Sequence, residues 1–309
     1  MTRLLTLGFA LLALYGFSEN YNPYVDGARA AIRIVVCDER GKPVPNAHLI
    51  IGFQQSPERG KTVMGTTDAK GTFCCEEKTT SIVNVWAEKD GYYKTHVRKS
   101  VAVRAKKEVI GSRRWSQEPV AIPFVLKAMR NPLKLTCHSV DFKPFPDTNV
   151  VVKLDLETLA WCPPYGNGQH DDLHLVFDGW RNPNDWDDFH EHLKIEMPNG
   201  ADGFYVAKTE PTSAFKYAYA ADTNATYRKS FAFRHVHKAE GITESKRLAA
   251  DEYLIYRVRT QTNELGQVTR AHYGRIGEKF SQYIGLSIKS WFNPNENDTN
   301  LEDARPCVW

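Results

Sequence analysis

The sequence predicts an all-β protein made of two β-sandwich modules. Apolar residues recur at every second position over short runs, as in Ile32, Ile34 and Val36, in Leu173, Leu175 and Phe177, and in Leu193, Ile195 and Met197. That period puts each set on one face of a strand. The runs are separated by clusters of Gly, Asn, Asp and Pro, residues that close turns. Helical periodicity is nearly absent, and Ile242 to Tyr253 is the best helix candidate. Many short strands between turn clusters indicate a sandwich or a jelly roll rather than a mixed α/β fold.

A chain of 309 residues has room for two such modules. Its 42% hydrophobic and 12% aromatic content supports packed cores and argues against disorder. The net charge of +3 supplies no global field toward nucleic acid or a membrane.

Residues 1–18 read as a signal peptide. Arg3 is a positive lead, Leu4 to Leu14 is an apolar run broken by Thr6 and Gly8, and Gly16 and Ser18 are small residues at a cleavage point. The run is well short of the roughly 20 apolar residues of a spanning helix, and no other stretch could span a membrane. The expected protein is therefore secreted, periplasmic or at the cell surface, with a polar and aromatic lead-in over 19–29.

The first module is expected over 30–128. Ile32, Ile34 and Val36 face one way on its first strand, and Arg33, Val35 and Cys37 the other. Gly41 and Pro43 shape the following turn. Ala47, Leu49, Ile51 and Phe53 point inward on the second strand, and Gln54 to Lys61 is a polar loop. Asp68-Ala69-Lys70-Gly71 is another tight turn with Phe73 as a core residue beyond it. Ile82 to Trp86 and Ile122 to Leu126 add strands, and Gly91 closes a turn before Tyr92 and Tyr93.

Asp-x-x-Gly-Lys-Pro-Val-Pro-x-Ala from Asp38, Thr-Asp-x-x-Gly-x-Phe from Thr67 and Lys-x-Gly-Tyr from Lys89 resemble, in order and spacing, the carboxypeptidase regulatory-like domain. That family is a transthyretin-like β-sandwich of secreted bacterial proteins. The resemblance covers about a third of the chain and implies a fold, with structural roles for Gly41, Gly71, Val36, Ala47 and Phe73 and no catalytic residue. The segment Lys94 to Arg114 departs from the pattern. It carries eight Lys or Arg against Glu108 alone, and reads as a solvated strand and loop or as a patch for an anionic polymer. Its basic residues are not interleaved with aromatics, as a single-strand nucleic-acid groove requires.

Lys127 to Pro132 reads as a hinge, and the second module, an Ig-like or jelly-roll-like sandwich, is expected over 129–309. Strands are expected near Val150 to Leu156, Leu173 to Asp178, His192 to Met197, Gly203 to Lys208, Tyr227 to His237, Tyr253 to Thr262, Gln267 to Ile276 and Tyr283 to Trp291. Asn263-Glu264-Leu265-Gly266 reads as a hairpin loop. The blocks around Trp161 to Gly168 and Trp291 to Asp298 resemble segments of secreted bacterial proteins of unknown function, a likeness that implies no activity.

Six cysteines, none in a Cys-x-x-Cys pair, suit an exported chain with disulfides and exclude a zinc ribbon. Cys37 and Cys74 share the face away from the core, whereas Cys75 is in phase with Phe73. A Cys37–Cys74 bridge is therefore expected ahead of Cys37–Cys75.

Three stretches could carry function. Trp180 and Trp186 flank Arg181-Asn182-Pro183-Asn184-Asp185, and aromatics beside Asn and Asp can stack on a sugar ring and bond its hydroxyls. Trp180, Trp186, Tyr165, Asn182 and Asp185 are the expected ligand-binding set; a lid over a sandwich end is the plainer role. His170 to Glu196 holds eight Asp or Glu and four His, but Asp172, His174 and Asp178 are expected on one solvated strand face and His192, Lys194 and Glu196 on another. His235-Val236-His237 places two imidazoles on one face, as in metal-binding jelly rolls, with His174, His190 or Asp172 as outside candidates for a third ligand. Phe231 and Phe233 share that face and suggest a packed setting.

No nucleophile elbow, phosphate loop or metalloprotease motif occurs in the sequence. The expectation is a non-catalytic exported protein with no cofactor and no bound metal, binding a polysaccharide or a cell-surface protein. A metal-dependent hydrolase using His235, His237 and His174 is the alternative, and a purely structural spacer is a third reading.

Overall fold

A computed structural model describes residues 21–55, 59–102, 113–210, 213–238, 241–277 and 285–303. The expected signal peptide and Cys307 lie outside the described residues. The chain is all-β and divides into two compact units, the first running to Ala128 and the second beginning at Met129, with Ser213 and Ala214 grouped with the first.

The first unit opens with a single helical turn, α1 (Pro23–Asp26), capped by the Asn22 side chain, which accepts from the Tyr24 N–H. Seven strands follow: β1 (Ala28–Asp38), β2 (His48–Gln54), β3 (Gly60–Thr66), β4 (Thr72–Thr79), β5 (Ile82–Glu88), β6 (Thr95–Ser100) and β7 (Val120–Leu126). They form a three-stranded sheet, β4-β1-β7, and a four-stranded sheet, β3-β2-β5-β6. β1 is antiparallel to β4 and parallel to β7, with Ile34 opposite Phe73 on one side and Ile122 on the other.

The alternating apolar positions supply the core of this unit: Ile32, Ile34 and Val36 from β1 meet Leu49, Ile51 and Phe53 from β2. Each such side chain contributes roughly 1.5–3 kcal/mol on burial. Gly71 has φ +70°, and a Cβ there would lie 2.3 Å from the Val36 carbonyl oxygen. Asp68 Oδ1 tightens the same turn by accepting from the Lys70 and Thr72 N–H groups. Trp115, absent from the sequence reading, is buried and donates its indole N–H to the Thr79 carbonyl at 2.7 Å.

The expected Cys37–Cys74 bridge is not formed, and both are free thiols. Register is the reason. Cys74 stands opposite Arg33 and Cys75 opposite Ile32, so Cys37 is four positions along β1 from Cys74's partner, about 13 Å at strand spacing. A disulfide needs Cα atoms within about 7 Å. The Cys37 thiol instead donates to the Phe124 carbonyl. Cys75 packs against the core, and burial pushes its thiol up to about 11.

The second unit holds β8 (Thr136–Pro144), β9 (Val151–Leu154), β10 (Leu173–Asn182), β11 (Asp185–Glu196), β12 (Gly203–Lys208), β13 (Ser230–Lys238), β14 (Gly241–Lys246), β15 (Glu252–Thr262), β16 (Val268–Ile276) and β17 (Gly285–Phe292). Two five-stranded sheets result, β14-β13-β11-β10-β9 and β12-β15-β16-β17-β8. Leu175, Phe177, Leu193 and Ile195 from the first sheet share a core cluster with Leu254, Tyr256, Val258 and Ile288 from the second.

The second sheet also has its other face covered. Tyr253, Ile255 and Tyr273 pack there with Ala221 and Leu301, which explains the unbroken run Tyr253-Leu254-Ile255-Tyr256. On that side Arg275 is fully buried beneath the rings of Tyr217 and Trp291, 4.2 and 4.4 Å from their centroids, and donates to the Leu301 carbonyl.

Two expectations are corrected. Ile242 to Tyr253 is not a helix: Gly241–Lys246 pairs with β13 as a hairpin strand, and a turn leads into β15. Asp172 is not on a solvated strand face, because β10 begins only at Leu173 and Asp172 is buried.

Candidate functional site

The outward face of the β10–β11–β13–β14 sheet is built of cross-strand rows. Pairing aligns Trp180, His190, Val236 and Glu244 in one row and Asp178, His192, Arg234 and Lys246 in the next. Directly opposed residues on neighbouring strands are in contact range. The Trp180 indole is 48% exposed and stacks on His190, with ring centroids 6.1 Å apart and planes 24° apart. Asp178 reaches toward His190 Nε2 at 3.6 Å and His192 Nδ1 at 3.9 Å. Burial, with Arg234 nearby, lowers the pKa of His192 and favours its neutral form. The result is an exposed indole beside a carboxylate and two imidazoles, which offers both a stacking surface and mixed donors and acceptors.

The residues expected with Trp180 have different placements. Asn182 and Asp185 pair across the hairpin turn. Asn182 Oδ1 accepts from the Asn184 N–H, its amide donates to Asp188, and Asp185 Oδ1 accepts from the Asp187 N–H. Both side chains therefore hold the turn. Trp186 lies on β11, and its side chain is outside the described residues. The Tyr165 hydroxyl donates to Asp147 at 3.3 Å, in a loop that precedes β9. Asp178, His190 and His192 were not in the expected binding set, and they are the groups placed beside Trp180.

On the inward face of the same sheet, His235 stands opposite Glu191 and His237 opposite Phe189. His174 projects from the other face of β10, opposite Glu196, so the expected His235–His237–His174 set is not assembled. Asp172 and His190 are likewise elsewhere, one before β10 begins and one on the outward face. His237 Nδ1 is hydrogen-bonded to the Asp187 carbonyl, and His235 Nδ1 accepts from Arg247. Phe189 packs against both rings.

Glu191 is the unusual group at this inward position. Its side chain is 3% exposed, and Oε2 has no hydrogen-bond partner among the described residues. Arg181 and Arg247 lie 4.0 Å from the carboxylate and His235 lies 3.9 Å from it. Burial raises the pKa of Glu191, and the two guanidinium groups offset only part of that effect.

A second polar centre lies at the opposite end of β10. Arg259, in a bulged stretch of β15 with φ +56°, donates to both oxygens of Asp172 at 3.0 Å and to Glu157 at 2.8 Å, and reaches Asp155 at 3.4 Å. Asp202 accepts from the backbone N–H groups of Arg259 and Thr260 and so holds the bulge. Asp155 Oδ1 accepts from the Glu157 and Thr158 N–H groups, and Oδ2 from those of Gln169 and His170. Burial alone would push the Asp155 carboxyl up; these backbone donors and Arg259 outweigh it and hold it below the usual range.

Asp155, Glu157 and His170 bring ligand-type atoms within 4.8 Å of one another. A metal would have to displace bonds already made, because the Asp155 oxygens are occupied by backbone donors and Glu157 is paired with Arg259. We read this cluster as a loop clamp.

Beside the clamp lies a cleft of about 240 Å³. Arg259 and Gln261 line it from β15, Arg270 and His272 from β16, and His170 and Glu296 from loops. Arg270 is paired with Glu296, and His272 stacks on Phe292 with centroids 5.2 Å apart.

No protein-family model matches the chain, and no curated protein matches it by sequence. Among solved structures, 3-chlorocatechol 1,2-dioxygenase from Rhodococcus opacus 1CP aligns at 12% identity and TM-score 0.26, covering 33% of this chain and 61% of that one. Catechol 1,2-dioxygenase from Acinetobacter radioresistens aligns at 11% identity and TM-score 0.25, covering 36% and 55%. A proposed carbohydrate-binding protein from Bacteroides uniformis aligns at 7% identity and TM-score 0.19, covering 87% and 98%. The chain thus spans less than two thirds of the dioxygenases' length, and TM-scores this low establish no common function.

Proposed function

We propose that this is an exported, non-catalytic binding protein whose second sandwich recognises a carbohydrate, as part of a polysaccharide or a cell-surface glycan, on the outward face around Trp180. One observation carries the reading: an indole left 48% exposed in the same row as His190 and next to Asp178 and His192. An indole face stacks on the C–H face of a sugar, and neighbouring carboxylate and imidazole groups bond its hydroxyls. The first unit is, in this reading, a carboxypeptidase regulatory-like module that serves as scaffold. Its motif turns support the assignment, since Gly41 and Gly71 both adopt positive φ. No helix among the described residues is long and apolar enough to cross a membrane.

Affinity electrophoresis through gels containing a panel of plant and microbial polysaccharides tests the proposal. Retardation by at least one polysaccharide, lost in Trp180→Ala without a change in melting temperature, is the expected result. Equal mobility of parent and variant in every gel would remove the carbohydrate reading.

A further inference from the structure

We propose that the cleft formed by His170, Gln261, Arg270, His272 and Glu296 is a second binding site, for a single small neutral polyhydroxyl unit of the pyranose type. Its chemistry is independent of the Trp180 face, and so is the inference. Asp172 and Trp180 are eight positions apart, about 26 Å along a strand, so one pyranose unit cannot fill both places.

Size is the first argument. About 240 Å³ is below the range of roughly 300–1,000 Å³ typical of drug-sized ligands. Charge is the second. Arg259 is met by Asp155, Glu157 and Asp172, and Arg270 by Glu296. With both guanidinium groups compensated, an anion gains no unpaired cation; the clamp's excess carboxylates, Asp155 and Asp172, are buried and already taken up by backbone N–H groups and Arg259. What remains is a wall of donors and acceptors: the Gln261 amide, two imidazoles and the edges of the Arg270–Glu296 pair. Such mixed pairs suit hydroxyl groups, which donate and accept at once.

Rigidity is the third argument. The bulge at Arg259 forms part of the cleft wall, as bulges beside binding sites often do, and Asp202 pins it. The Glu296 turn is held from both sides. Asn293 Oδ1 accepts from the Asn295 N–H, Asn293 donates its amide to the Asp298 and Asn300 carbonyls, and Asn297 Oδ1 accepts from the Ala271 N–H. A wall built before the ligand arrives avoids the ordering penalty of binding.

The test uses the whole chain labelled with ¹⁵N-histidine, titrated separately with D-glucose, D-galactose, D-mannose and sodium sulfate. Loss of signals in His170→Asn and His272→Asn assigns the two imidazoles. We expect saturable shifts of both resonances with at least one sugar, none with sulfate, and affinity weakened by about tenfold in Gln261→Ala and Glu296→Gln. The exposed Gln261 makes the first variant safe for folding, and Trp180→Ala retains the shifts, which separates this site from the outward face. No shift with any of the three sugars overturns the proposal. So do shifts with sulfate equal to those with sugar, or sugar shifts unchanged in both cleft variants.

Discussion

The two ends of β10 handle buried charge in opposite ways. At the Asp172 end every carboxylate of the clamp has a partner: Asp155 accepts four backbone N–H groups, and Arg259 bridges Asp155, Glu157 and Asp172. At the Trp180 end Glu191 is as deeply buried, yet its nearest cations stand off at 4.0 Å and Oε2 is unbonded among the described residues. Satisfied polar groups hold a structure in one geometry, whereas a buried unsatisfied one costs stability. The difference teaches that the clamp is settled architecture beside a cleft, whereas the buried carboxylate of Glu191 costs stability where it stands.

Breaking the clamp should have the largest effect. Arg259→Met leaves Asp155 and Asp172 buried without their cation and should lower stability by about 3–5 kcal/mol, measured by denaturant unfolding. A loss within experimental error would show that the clamp is solvated and that the contrast between the ends is false.

Asp155→Asn comes next, with an expected loss of about 1–3 kcal/mol near pH 7. Its pH dependence sharpens the contrast. The folded-state pKa of Asp155 is lowered, so its contribution is present above the ordinary carboxylate value and is lost as pH falls through the lowered one. The gap between parent and Asp155→Asn should therefore close in acid.

Glu191→Gln should show the reverse sign. The folded-state pKa of Glu191 is raised, so the folded protein holds its proton more tightly and stability declines as pH climbs from the ordinary glutamate value to the raised one. The variant removes that decline. It should be more stable than the parent at neutral pH and converge with it in acid, where Glu191 is protonated in both the folded and the unfolded chain. Unfolding curves across the range decide this; a variant less stable than the parent at neutral pH would mean that Glu191 is well paired after all.

Much of this fold is legible in the sequence, and the exceptions have a common cause. The runs at Ile32, Leu49, Leu173 and Leu193 bury one face and therefore alternate cleanly. The strands not foreseen, β3, β8 and β14, all lie at sheet edges. Two of them show little burial to impose alternation, with every position of β3 and β8 exposed or half-buried.

The sites were legible only in part. Trp180 was visible as an aromatic in a polar loop, but its neighbour was not. The two-residue turn at Pro183-Asn184 would place Trp180 opposite Asp187, and a bulge between Arg181 and Asn182 moves the pairing to His190. The clamp was hidden for another reason: Arg259 meets Asp155, Glu157 and Asp172 from across the sandwich, at sequence separations of about a hundred residues. No local pattern carries that information.

The smallest expected effect belongs to the residue with the largest proposed role. Trp180→Ala should cost less stability than loss of a core aromatic, because about half of the indole already faces solvent. The most direct measurement of the central claim follows the indole itself. In ¹⁵N-tryptophan-labelled protein, Trp180 is assigned by its loss in Trp180→Phe, and the chain is titrated with an oligosaccharide of whichever polysaccharide retards it in gels. The account predicts that the Trp180 indole resonance shifts saturably while those of the buried Trp115 and Trp291 stay in place. A bound oligosaccharide that leaves the Trp180 resonance unmoved would contradict it.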